Sequence, residues 1–209
     1  MRCLAILLAL AGATLPMTTS AQVAAPAAAT AADPAAAAFI ERLSSDGFAV
    51  LRDQSLGRDA ARAKFRTMLQ QNVALADIGN RLIRRQRASI TPAQYAAYQA
   101  ALPEFILNAY ASRLYAYADA RVTIVRSVPR GGYVDVVTRV TRPGGAPIDA
   151  IWQVRKAASG WQLHGLSVGG VNLSLTQEAD FAAYIQKNGF DALVDFMKTA
   201  NSRSARTPA

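Results

Sequence analysis

Cysteine and histidine are almost missing from this sequence: Cys3 and His164 are the only ones. With one thiol, placed at the very start of the chain, no intrachain disulfide can form and no thiolate metal site can be built. With one imidazole, the His-rich ligand sets of metalloenzymes are out of reach. Acidic residues are scarce as well, 14 Asp and Glu against 23 Lys and Arg, for a net charge of +9. That balance favours anionic partners such as lipid surfaces or acidic protein faces. Nucleic acid is not indicated, because no recognition module is legible. There is no HExxH pair, no G-x-S-x-G elbow and no glycine loop leading into a helix as phosphate binding requires. The pairs Gly131-Gly132, Gly144-Gly145 and Gly169-Gly170 sit in turn contexts instead. Asp135 and Asp149 fall on neighbouring expected strands, but they alternate with the apolar residues and should point away from the core. The reading is therefore a protein that is not an enzyme, with no cofactor and no metal.

Long apolar runs are missing too, except at the start. Met1 and Arg2 precede the uncharged stretch Leu4–Ala13, which is too short to anchor in a bilayer and leads to small residues at Thr19-Ser20-Ala21. This is the pattern of a cleaved signal peptide over 1–21, and it predicts export to the periplasm. Residues 22–34 are an Ala/Pro tract without larger apolar side chains, expected to be a disordered leader, and the polar residues 201–209 are expected to fray. What remains, 35–200, is one domain.

Within it, the apolar spacing is helical from Ala35 to about Ala118. A break is expected at Asp46-Gly47, and Thr91-Pro92-Ala93-Gln94 reads as a capping box that opens a long helix. Along that helix Tyr95, Tyr98, Leu102, Phe105, Ile106, Ala109 and Leu114 recur at steps of three and four, with Tyr110 bridging one longer gap. Pro103 predicts a kink or break near Ala100. After Asp119 the period becomes two. Short runs at Val122–Val128, Val134–Val140, Ile148–Val154 and Trp161–Val168, joined by Gly-rich turns, predict an antiparallel meander. A helical pattern then spans Asp180–Lys198, interrupted at Asn188-Gly189. The fold class is α+β: a four-stranded antiparallel sheet covered by helices, NTF2-like, a geometry that can enclose an apolar cavity.

Several segments resemble those of one family in order. Ser89-Ile90-Thr91-Pro92-Ala93-Gln94 is followed by Tyr98, Phe105 and the stretch Tyr110–Tyr117. Then come Ile148–Lys156, Gly160-Trp161-Gln162, Val168-Gly169-Gly170-Val171-Asn172-Leu173, Phe181 and Lys187–Leu193. From Ala35 to Lys198 this resembles MlaC, the toluene-tolerance family. The resemblance implies a monomeric periplasmic phospholipid carrier that shuttles lipid between an outer-membrane lipoprotein complex and an inner-membrane ABC transporter, preserving outer-membrane asymmetry. It also implies that acyl tails enter a cavity between sheet and helices. The residues expected to touch them are Tyr98, Leu102, Phe105, Ile106 and Ala109 on the long helix, with Val134, Val136, Ile148, Ala150, Trp152, Leu166, Val168 and Val171 from the sheet. The chain departs from the family pattern at Ile83-Arg84 and Arg87, where relatives have Leu-Gly and then an aromatic. Arg81, Arg84 and Arg85 are thereby expected to share a basic helix face for a head group or a docking partner. A branch of the family accompanies hopanoid biosynthesis, so a hopanoid or another lipid is the alternative cargo. Two rival classes stay open: an enzyme of the cone-shaped α+β type, and a periplasmic adaptor that binds only protein.

Overall fold

The computed structural model describes residues 33–115 and 117–206. The expected signal peptide, the leader up to residue 32 and residues 207–209 lie outside the described residues, as do the side chains of Tyr110 and Leu114. The chain begins with four helices, α1 (Pro34–Arg52), α2 (Arg58–Asn72), α3 (Leu75–Leu82) and α4 (Pro92–Tyr115). The strands β1 (Arg121–Arg130), β2 (Tyr133–Thr141), β3 (Ile148–Ala157), β4 (Gly160–Val168) and β5 (Val171–Asn172) follow, and α5 (Leu173–Asn188) and α6 (Phe190–Arg206) close the chain. The sheet is a meander in the order β1-β2-β3-β4-β5, every pair antiparallel. It has five strands where four are expected. The Gly169-Gly170 turn, with φ of 56° and 82°, folds Val171 and Asn172 back onto Val168 and Ser167.

Local chemistry explains several helix ends. Asp33 Oδ1 accepts from the N–H groups of Ala35 and Ala36 at 3.0 Å, and Pro34 occupies the first turn. These two residues belong to the helix start and not to the leader. The Thr91 capping box forms as expected: Gln94 N–H donates to Thr91 Oγ1 at 3.2 Å and Thr91 N–H to Gln94 Oε1 at 2.9 Å. Asn172 caps α5 by accepting from Leu175 N–H at 3.0 Å, so that helix begins well before the expected Asp180. Gly189, at φ 87°, divides α5 from α6 where the Asn188-Gly189 signal places the break.

Three expected breaks or frays are absent. α1 runs unbroken through Asp46-Gly47, since a mid-helix glycine costs only about 1 kcal/mol and the rest of the segment favours the helix. α4 continues through Pro103. Asn201 of α6 donates to the carbonyl of Ala101 in the same stretch, at 3.0 Å. α6 itself extends to Arg206, so 201–206 is helical where a frayed tail is expected. Asn201 also accepts from Asn108 Nδ2 at 3.2 Å, and these contacts tie the last turns of α6 to α4.

A polar network fastens α2 to this pair. Glu104 of α4 is held by Arg62 and Arg66 of α2, with Arg66 Nε at 3.1 Å, and Arg62 also donates to Asn108 at 2.7 Å. Burial pushes the Glu104 carboxyl up, but the hydrogen bonds and charges of the two arginines more than offset it and hold it below the usual carboxylate range. Glu104→Ala leaves two facing guanidinium groups without their shared anion. It should cost about 1–2 kcal/mol of stability, measurable as a lower urea midpoint.

The apolar residues settle into two packed groups. The first is helical: Leu82, Tyr98, Leu102, Phe181, Leu193 and Met197 are among its buried members. The second joins Ala36, Phe39 and Ile40 of α1 to Val134, Val136 and Val154 on one face of the sheet. α4 packs on α2, α3 and α6, while α1 covers the sheet and α2, α3 and α5 approach it along β4. The molecule is thus a helical layer joined to a sheet layer by α1 and by the β4 edge.

Candidate functional site

The inner face of the sheet is set by register. Val134, Val136, Thr138 and Val140 stand opposite Val154, Trp152, Ala150 and Ile148. Leu163, Leu166 and Val168 of β4 continue the same rows. Asp135 and Asp149 lie on the other face, as alternation requires, and each has its own arginine: Arg130 at 2.6 Å from Asp135, Arg139 at 2.8 Å from Asp149. They do not pair with each other. Two bulges interrupt the alternation, at Val125 in β1 and at His164 in β4. The first moves Val128 to the outer face although Val122 and Ile124 are on the inner one. The second keeps Leu163 and Leu166 on one face and turns His164 away.

The residues expected to line one cavity are divided between the layers. Tyr98, Leu102 and Phe105 are buried in the helical group with Ile106 packed against it; the Tyr98 ring meets Phe181 edge-on at 6.3 Å, and its hydroxyl donates to the Gly79 carbonyl at 3.1 Å. Val134 and Val136 are buried in the sheet group, with Trp152 packed against it. Trp152 Nε1 donates to Thr138 Oγ1 at 2.9 Å, which satisfies both polar atoms on the inner face. Ile148, Leu166 and Val168 are half-buried. Ala109 and Val171 are exposed, Ala109 on the outer side of α4 and Val171 at the start of the short β5 hairpin strand. They do not face the interior.

A third set is buried but belongs to neither packed group: Ala61 and Phe65 of α2, Leu107 of α4 and Ala150 of β3, together with Ala74, Ala120 and Val137. α4 is seated mainly on other helices, while α2 reaches both α4 and β4. Of this set, only Ala150 is among the expected contacts. Phe65 has a legible helical spacing in α2, but nothing in that spacing says which layer it faces. Leu107 falls off the stripe of α4, which is apolar on more than one side.

The basic cluster is also divided. α3 ends at Leu82 and a run of turns covers 83–89, so the three arginines share no helix face. Arg81 donates to the carbonyl of His164. Arg84 donates to Glu178 Oε1 at 2.6 Å, with Arg85 Nε at 3.8 Å from the same oxygen. This pair edges a cleft of about 340 Å³ floored by Leu175, Ala179 and Ala182 of α5. A second cleft of about 400 Å³ lies on α6 around Tyr184, Asp195 and Phe196. Neither cleft touches the sheet or α4, so neither is the expected tail cavity.

His164 is buried at the β4 bulge. Its Nδ1 is 3.5 Å from Asp77 Oδ2, Tyr133 packs edge-on at 5.4 Å, and Nε2 has no protein partner. Burial lowers its pKa from the usual 6.5, Arg155 and Arg81 push the same way, and Asp77 opposes them. The unfolded chain therefore binds this proton more readily. The stability contributed by neutral His164 is present above about pH 6.5 and is lost as the pH falls through the lower folded value. Urea midpoints should drop between about pH 7.5 and about pH 5.5, and His164→Gln should flatten that slope. A slope unchanged in His164→Gln would assign the effect to other groups.

A helical layer clasped over one face of an antiparallel meander defines an α+β domain, and among the described residues no helix is long and apolar enough to cross a membrane. The family model described as MlaC protein matches residues 41–199, and the chain belongs to that family. Among solved structures, it is similar to a phospholipid-binding protein from Ralstonia solanacearum, determined in complex with a phospholipid. The TM-score is 0.69 at 22% identity, covering 82% of this chain and 99% of that one. At that identity the likeness is one of fold.

Proposed function

We propose that this protein is a periplasmic phospholipid carrier that hides acyl tails in the seam between its helical layer and the inner face of its sheet. The observation that carries the reading is that Ala61 and Phe65 of α2, Leu107 of α4 and Ala150 of β3 are among the apolar residues buried outside both packed groups. Family membership and a fold shared with a protein that holds a phospholipid support it. Sheet residues Ile148, Leu166 and Val168, half-buried beside Ala150, extend the wall. Tyr98, Leu102 and Phe105 back the helical side rather than line it.

The energetics need no bond chemistry. A diacyl lipid carries on the order of 30 methylenes worth about 0.8 kcal/mol each, so crossing water unshielded costs roughly 20 kcal/mol or more. A seam nearly as apolar as a bilayer removes that barrier, and loading and release depend on the small difference between the two environments. Export through a signal peptide over 1–21 places the carrier between two membranes, where it exchanges lipid with an outer-membrane lipoprotein complex and an inner-membrane ABC transporter and so maintains outer-membrane asymmetry. Arg84 and Arg85 are exposed and share the single carboxylate of Glu178, which leaves them a net positive charge toward a head-group phosphate or an acidic docking face, whereas Arg81 is engaged by the His164 carbonyl. The test is native mass spectrometry with lipid extraction on protein purified without detergent. Stoichiometric phospholipid is the expected result; a hopanoid would redirect the cargo, and protein free of lipid would overturn the carrier.

A further inference from the structure

The face of the sheet turned away from α1 has no part in the lipid seam, yet its composition is unusual for a solvated surface. Register places Arg121, Arg126, Val128 and Arg130 of β1 on it, beside Arg139 of β2 and Ile151 of β3. Val128 and Ile151 are 37% and 39% exposed, and Val125, the extra residue of the β1 bulge, is 48% exposed next to Arg126. Among the described residues, the carboxylates beside these arginines are Asp135 and Asp149, bound to Arg130 and Arg139, with Asp77 on Arg155 further along. Arg126 lies near enough to Asp149 to help Arg139 hold its carboxyl low, but neither Arg121 nor Arg126 forms a salt bridge among the described residues, and the face keeps a positive excess.

We infer that this outer sheet face is a docking surface for an anionic lipid bilayer. Charge sets the sign of the partner, because an excess of guanidinium groups attracts a negatively charged surface. The apolar residues set its kind. They are short, β-branched and spread among arginines around the buried Val137, which suits shallow contact with the head-group boundary. A protein partner is ordinarily gripped by exposed aromatic anchors, and the aromatic residue of this face, Tyr133, is half-buried under Arg155 and against His164. Strand addition at the β1 edge is disfavoured by the Val125 bulge, Pro129 and the arginines along it. Docked through this face, the carrier would present its opposite, helical layer away from the membrane. The proposal goes beyond the cargo reading and does not depend on it.

The experiment is flotation of the purified chain with vesicles of equimolar phosphatidylcholine and phosphatidylglycerol, and with vesicles of phosphatidylcholine alone. Binding to the anionic vesicles only, weakened by high salt, is expected. Arg121→Glu with Arg126→Glu should weaken it by roughly thirtyfold or more, since each arginine near such a surface contributes about a factor of five. Ile151→Ser should weaken it with no change in net charge, and Lys187→Glu with Lys198→Glu on the helical layer should leave most of it. Circular dichroism confirms that each variant is folded. Equal binding to both vesicle types, no binding, or sheet-face variants that bind like the parent would each overturn the proposal; so would capture by an acidic protein surface in place of the vesicles. Lipid extraction from the same preparations reads the cargo separately, so failure of docking and failure of the carrier are distinguishable.

Discussion

Ala150→Trp should yield a folded protein that purifies without lipid. Ala150 lies in the middle of the inner sheet face, opposite Thr138 on one side and Val168 on the other, and is 2% exposed. It is buried without joining either packed group, so an indole added there tests whether the space above it is a seam or a finished core. If the seam is where tails lie, the ring takes their place: bound phospholipid falls from stoichiometric to near zero while the thermal midpoint holds or rises. If the seam is instead filled by side chains, the same substitution overpacks it and costs about 1–3 kcal/mol. The two outcomes have opposite signs in stability, which makes the pair of measurements, lipid content and melting, stronger than either alone. Retained lipid at parental stoichiometry would place the tails elsewhere.

The reasons this site was only partly readable in the sequence are specific. The β2 and β3 rows were legible, since Val134, Val136 and Thr138 alternate with Asp135, Val137 and Arg139, and facing residues follow from a Gly-rich turn. The Thr91 cap was legible because both reciprocal bonds are local. The bulges were not: an extra residue at Val125 or His164 changes which face a side chain occupies but leaves the composition of the strand unchanged. Helix α4 shows the larger limit. Its stripe of Tyr98, Leu102 and Phe105 announces burial, and burial is what the structure has. Periodicity does not say against which layer. The partner turned out to be α5 and α6, whose Phe181, Leu193 and Met197 are far along the chain, and so Tyr98, Leu102 and Phe105 pack among helices. The shared helix face expected of the basic residues is absent for a related reason: a helix that stops at Leu82 cannot carry Arg84 and Arg85 on the face of Arg81. In each case the information missing from the local pattern is a long-range contact.

That division into layers leads to the second large effect, from Phe181→Ala. Phe181 of α5 is 2% exposed, and its ring meets Tyr98 edge-on at 6.3 Å and Phe105 at 5.7 Å, which joins α5 to the larger contact between α4 and α6. Truncating a buried phenylalanine to alanine costs about 3–5 kcal/mol, a large share of the stability of an ordinary domain. The two tryptophans, Trp152 and Trp161, both pack against the sheet group, so their fluorescence reports that layer while far-UV circular dichroism is weighted to the helices. α1 and the β4 edge join the layers, and the domain should unfold as one cooperative unit. In urea, Phe181→Ala is therefore expected to lower the midpoint seen by both probes together, although no tryptophan touches the site of the change. A drop in the helical signal alone, with the tryptophan transition unmoved, would mean that the sheet with α1 stands without the helical layer. The seam would then be a boundary between independently folding parts and not a fixed enclosure for hydrocarbon.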